Sequence, residues 1–157
     1  MAETKELNLE QKVTVRSIAG WTTGFARRAD GIGDITIAPN GSIRLSRNEI
    51  ITQVQNGNKL LSGLDGLGSH ATLIIDDAPT RVECGFESED GKTKQLVFSE
   101  EAVTEVFKKS QTQFEKAFKE LIRTRAEKYA VIDFLRKGKI NDYQKIRFAE
   151  NYTGFRL

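Results

Sequence analysis

Apolar and polar residues change their spacing once along this chain, close to residue 99. Before it they tend to alternate, as side chains do on a strand. Residues 12–18 set Val13, Val15 and Ser17 against Thr14, Arg16 and Ile18, which predicts a strand. Residues 21–27 predict a second, with Trp21, Thr23 and Phe25 on one face. Residues 34–45 predict a hairpin. Ile35 and Ile37 precede Pro39-Asn40-Gly41, Ile43 and Leu45 follow, and Asn-Gly readily takes positive φ. Ser46 with Glu49 three residues later has the form of a capping box, so a short helix is expected over 46–56, closed by Asn56-Gly57. Gly63, Gly66 and Gly68 make 62–70 a loop. Residues 71–75, 80–86 and 93–98 then predict three more strands. Asp76-Asp77-Ala78-Pro79 reads as a tight connection, and residues 88–91 as the last turn.

From Ser99 the spacing becomes helical. A hydroxyl cap followed by Glu100 and Glu101 suits the free N–H groups and dipole of a helix start. Val103, Val106 and Phe107 form one apolar stripe, and Ser110 with Gln113 makes a second capping-box match. Phe114, Ala117, Phe118, Leu121 and Ile122 recur at helical spacing, and the pattern runs on through Tyr129, Ile132, Phe134 and Leu135 to Gly138. Asn141 or Asp142 is placed to cap a last helix carrying Tyr143, Ile146 and Phe148.

Composition marks the same boundary. Of 13 glycines 11 lie before residue 99, and of 13 aromatic residues nine lie after it. Glycine punctuates turns, whereas aromatics three and four apart anchor helices. The expected fold class is therefore α+β. It comprises an antiparallel β-rich body over 1–98, a sheet or small barrel of about five to seven strands with one short inserted helix. Two or three helices follow over 99–157, packed on the body or on another subunit.

At 157 residues the chain can bury a core without crosslinks, and its single cysteine forms no internal disulfide. No stretch reaches the roughly 18 apolar residues that span a bilayer. The polar opening, residues 1–11, lacks the basic start and apolar run of a secretory signal, so cytoplasm is the expected location. Net charge is +2, but unevenly spread. Residues 1–98 carry 11 basic and 13 acidic side chains, and residues 99–157 carry 13 and nine. A mildly basic helical part permits contact with an acidic partner.

No assembled catalytic, cofactor or metal set emerges. The glycine-rich loop lacks the Lys-Ser or Lys-Thr ending of a phosphate loop. His70 and Cys84 would act together only in contact, and otherwise read as the start of a strand and a small packed group. Asp65, Asp76 and Asp77 match no calcium loop. Trp21 to Arg28 interleaves aromatic and basic residues, as a strand does that stacks bases on Trp21 and Phe25 while Arg27 and Arg28 hold phosphates; burial of that stripe is the commoner outcome. Lys116, Lys119, Arg123 and Arg125, with Arg136, Lys137 and Lys139 beyond, form a basic helical set. Glu115, Glu120 and Glu127 interrupt it, which favours a solvated face.

Val13-Thr14-Val15-Arg16-Ser17, then Gly20 and Gly24-Phe25, resembles the opening of small, mostly uncharacterised bacteriophage proteins. In these a V-x-V-x-S/N strand precedes a G-x-x-x-G-aromatic segment, and a β-rich start precedes a helical end. The resemblance implies a phage-encoded setting, a virion component or a host-directed factor, and transfers no catalytic residue.

The leading expectation is a non-enzymatic structural or interaction module acting as an oligomer, with Phe114, Phe118 and Leu121 as partner contacts and no cofactor. The alternative is a nucleic-acid or nucleotide-binding regulator using Arg27, Arg28, Lys119 and Arg123. No membrane partner is expected.

Overall fold

The computed structural model describes residues 7–157; the first six residues of the polar opening lie outside them. Five strands and seven helices follow within the described residues, in the order β1 (Lys12–Ser17), β2 (Thr23–Ala26), β3 (Asp34–Ile37), β4 (Ser42–Ser46), α1 (Arg47–Gln55), α2 (Lys59–Ser62), β5 (Leu73–Ile75), α3 (Ala78–Glu83), α4 (Glu100–Phe107), α5 (Gln111–Leu121), α6 (Arg125–Leu135) and α7 (Tyr143–Thr153). The class is α+β. The strands do not make one body of five to seven: they form two small antiparallel sheets, β4-β1-β5 and β2-β3.

The expected hairpin over 34–45 is not formed. β3 pairs with β2, and β4 pairs with β1, Val13 opposite Leu45 and Val15 opposite Ile43. Asn40 does take positive φ, at 54°. The turn it makes is a corner between sheets, held by the Asn40 amide donating to the Ala19 carbonyl and the Ser17 amide donating to that of Gly41.

Two further expected strands are absent. Residues 80–86 fall largely in α3, because Asp77 caps it, accepting from the Thr80 amide at 3.1 Å, and Pro79 sits in the first turn where its missing N–H costs nothing. Residues 93–98 form no regular element. Asp76-Asp77-Ala78-Pro79 is thus a helix start, not a link between strands.

Four C-terminal helices form where two or three were expected. Ser110 makes no side-chain cap bond, although α5 begins directly after it. The long apolar run breaks at residues 122–124, where Thr124 and Glu127 build a complete capping box for α6. Asp142 caps α7 as expected.

Two cores result. Val13, Val15, Ile35, Ile37, Leu45, Ile50, Leu61, Leu73, Ile75 and Phe86 fill the body. Helices α4–α7 enclose the second, to which Ile18, Ala19 and Ile74 also contribute. β5 is buried along its whole length because it serves both: Leu73 and Ile75 face the body core, Ile74 the helices.

Two buried carboxylates join loops to helix starts. Ser46 caps α1 by accepting from the Glu49 amide, but Glu49 does not complete the box. It accepts instead from the amides of Arg28, Ala29 and Asp30 at 3.1–3.2 Å and from the Gln53 side chain at 3.0 Å. Burial pushes its carboxyl up; those donors outweigh burial and hold it below its ordinary value. Glu127, fully buried, accepts from the amides of Arg123 and Thr124, both at 3.0 Å, and lies against His70.

Candidate nucleic-acid interface

Phe114, Phe118 and Leu121 are not surface anchors. They are 0%, 1% and 4% exposed, enclosed by the chain itself. Phe107 lies 4.7 Å from Phe114, centroid to centroid, and Phe148 and Tyr152 of α7 pack on Phe118 at 5.8 and 5.7 Å. The apolar stripe of α5 is too wide for a lone helix, and here α4 and α7 cover it.

The outer side of α5–α7 carries a different set. Phe148 and Tyr152, one helical turn apart on α7, are half-buried and stacked, 6.1 Å between centroids and 3° between planes. Lys119 of α5 lies over Phe148 at 5.8 Å, and Lys128 of α6 over Tyr152 at 5.3 Å. Tyr152 donates to the Ile122 carbonyl at 2.8 Å, beside exposed Arg123. Next to Lys128, Tyr129 meets Phe155 and Trp21 edge-on, at 6.0 and 6.1 Å. Arg125 lies over Trp21 at 5.3 Å. Trp21 lies outside β2 and is 36% exposed. None of the ion pairs among the described residues uses Lys119, Arg123, Arg125 or Lys128. The face therefore carries two groups of rings, Phe148–Tyr152 and Trp21–Tyr129–Phe155, and three of its four cations lie over ring faces while none of the four meets a carboxylate.

This arrangement separates the aromatic–basic segment 21–28. Trp21 goes to the helices, Phe25 to the body core, and Arg27 and Arg28 to the far end of β2, above Glu49. Glu127 does not interrupt the basic set, since it is buried; Arg136 and Lys137 are drawn off to the Arg156 carbonyl and to Glu100. Lys128 and the Phe148–Tyr152 platform were absent from the basic set read in the sequence. Their signal was present: Arg125 and Lys128 lie three apart and Phe148 and Tyr152 four apart, spacings that share a helix face.

The other candidates resolve into structure. Asp65 accepts from the amides of Leu67 and Ser69 at 2.8 and 3.1 Å, so a carboxylate occupies the N–H groups that a phosphate would need. Asp76 pairs with Arg16 and Asp77 with Arg47, and among the described residues no group of three acidic, histidine or cysteine side chains is placed to hold a metal. His70 is held by Glu127. Cys84 packs at the edge of the body core, where burial first and Glu83 second push its thiol up to about 12, leaving it inert as a nucleophile.

The described residues thus define an α+β fold with one basic, aromatic-lined helical face. No protein family, no curated protein and no solved structure matches the chain. No helix of the described residues is long and apolar enough to cross a membrane.

Proposed function

We propose that this chain is a nucleic-acid-binding module that takes a single strand along the α5–α7 face. One observation carries the reading: Lys119, Arg125 and Lys128, none paired with a carboxylate, lie over the rings of Phe148, Trp21 and Tyr152, with exposed, unpaired Arg123 between them in sequence. Cations follow a phosphate backbone without reading sequence, and bases of any kind stack on rings whose covering cations turn to the phosphates. A strand of loose bases can use both at once; a closed duplex offers its bases to neither. The test is fluorescence anisotropy of labelled single strands and duplexes against a K119A/R123A/R125A/K128A variant. The reading expects salt-dependent binding that favours the single strand and weakens at least tenfold in the variant. Equal affinity in a folded variant would remove it.

A second reading, a self-associating structural module, rests on another surface. Leu64, Leu67 and Leu96 are 62%, 56% and 43% exposed. Backbone bonds tie their segments together, Leu64 amide to Ser69 carbonyl and His70 amide to Leu96 carbonyl. Light scattering decides it: a defined oligomer that L64S/L67S dissociates supports self-association, and a monomer at high concentration removes it. The resemblance of the opening to bacteriophage proteins fits both readings, a host-directed factor for the first and a virion component for the second.

A further inference from the structure

At the start of β1, beside the Ser46 cap of α1, Lys12, Arg27 and Arg44 line one hollow of about 330 Å³. We propose that this hollow is a binding site for a phosphate group. The three cations come from three strands or strand ends that the sequence does not bring together. Lys12 and Arg44 stand on paired strands, and the Arg44 guanidinium donates to the Lys12 carbonyl at 2.9 Å, which holds it across the pair. Arg27 follows β2, and its amide is fixed to the Gly33 carbonyl at 2.8 Å. The next three amides are fixed by Glu49. The backbone that presents Arg27 is thus held in place, so binding has to order side chains but not the chain that carries Arg27.

The charge balance suits an anion. Among the described residues, none of the three cations forms an ion pair. Two carboxylates, Glu10 and Asp30, share the lining, and Asp30 is engaged by the Ser46 hydroxyl. Three cations against two carboxylates leave the hollow at net +1, which a singly charged phosphate diester or monoanion offsets. Arginine presents planar, paired donors that match two phosphate oxygens, and lysine adds a point charge. The phosphate could belong to a nucleic-acid backbone or to a small phosphorylated molecule; the chemistry of recognition is the same. The site stands on its own geometry and does not depend on the helical face.

The test is NMR of the full chain, titrated with inorganic phosphate against chloride at constant ionic strength, and then with a short single-stranded oligonucleotide. Saturable shifts at the amides of Lys12, Arg27 and Arg44 are expected, weakened about tenfold or more in R27A/R44A and in part by K12A. R16A, on the same strand but paired with Asp76, is expected to bind phosphate unchanged. The helical-face variant should also keep the phosphate shifts, so the two sites fail or stand separately. Oligonucleotide saturating these same signals at lower concentration assigns the phosphate to a nucleic-acid backbone. Phosphate saturation without such a gain assigns it to a small phosphorylated ligand. Shifts that never saturate, or that persist undiminished in folded R27A/R44A, overturn the proposal.

Discussion

The His70 imidazole and the Glu127 carboxylate meet in the interior across 57 residues of chain, with Nδ1 3.0 Å from each carboxylate oxygen. His70 reaches this position in the left-handed region, at φ 61°, at the end of the glycine-rich loop. Glu127 in turn accepts from the backbone of residues 123 and 124, the link that carries Arg123. One carboxylate therefore fixes the body, the start of α6 and part of the basic face together.

Removing either partner leaves the other buried without its bond. H70A and E127A are each expected to lower unfolding stability by about 2–4 kcal/mol. Urea denaturation checks this, and the double variant should cost less than the sum of the two singles. Singles within about 0.5 kcal/mol of the parent chain would show that the pair is not a structural joint.

Glu49 gives a pH dependence with a fixed sign. Burial raises its carboxyl and the surrounding N–H donors lower it further than burial raises it. A carboxyl depressed in the folded state stabilises fully above its unfolded value, near 4.5, and that contribution disappears as pH falls through the lower folded value. Stability measured from pH 7 down to pH 3 should therefore fall below about pH 4.5 more steeply in the parent chain than in E49Q. At pH 7 E49Q should be less stable by about 2 kcal/mol. Parallel curves would contradict the role assigned to Glu49.

These joints explain what the sequence did and did not disclose. Period two identified β1 to β4, and helical spacing identified the apolar side of α4 to α7, because each depends on neighbours along the chain. Pairing depends on distant residues. Ile35 and Ile37 before Asn40-Gly41 indicated a turn but not that β4 would leave β3 for β1. Thr80 to Phe86 is rich enough in β-favouring residues to pass for a strand, and the Asp77 cap with Pro79 prevailed. The Thr124–Glu127 box was passed over in a helical pattern that ran on to Gly138, and Glu127 read as a surface charge, because its burial follows from where His70 arrives. The same holds for the basic face. Lys119, Arg123 and Arg125 were legible as charges, whereas the rings beneath Lys119 and Arg125 come from α7 and residue 21.

Phe118 separates core from contact surface. Buried among Phe107, Phe114, Phe148 and Tyr152, its replacement by alanine should cost about 3–5 kcal/mol and leave the size-exclusion mass of the folded fraction unchanged. A stability loss under about 1 kcal/mol, coupled to a change in mass, would instead make it an interface residue.

Gly20 lets Tyr129 approach the chain that carries Trp21. A Cβ at residue 20 would fall 2.1 Å from the Tyr129 ring. G20A should displace that ring, cost about 1–3 kcal/mol, and change the emission of Trp21, the chain's one tryptophan. Unchanged emission and stability would mean that Tyr129 does not rest where it is described.

That single tryptophan also supplies the most direct test of the proposed function. Trp21 emission should be quenched as a single-stranded oligonucleotide is added at low salt, as a base takes the place of Arg125 over its ring. The logarithm of the apparent affinity should fall linearly with the logarithm of salt, with a slope of about 0.7 per phosphate contacted. The K119A/R123A/R125A/K128A variant should lower that slope. Emission and affinity that ignore both oligonucleotide and salt would contradict the account.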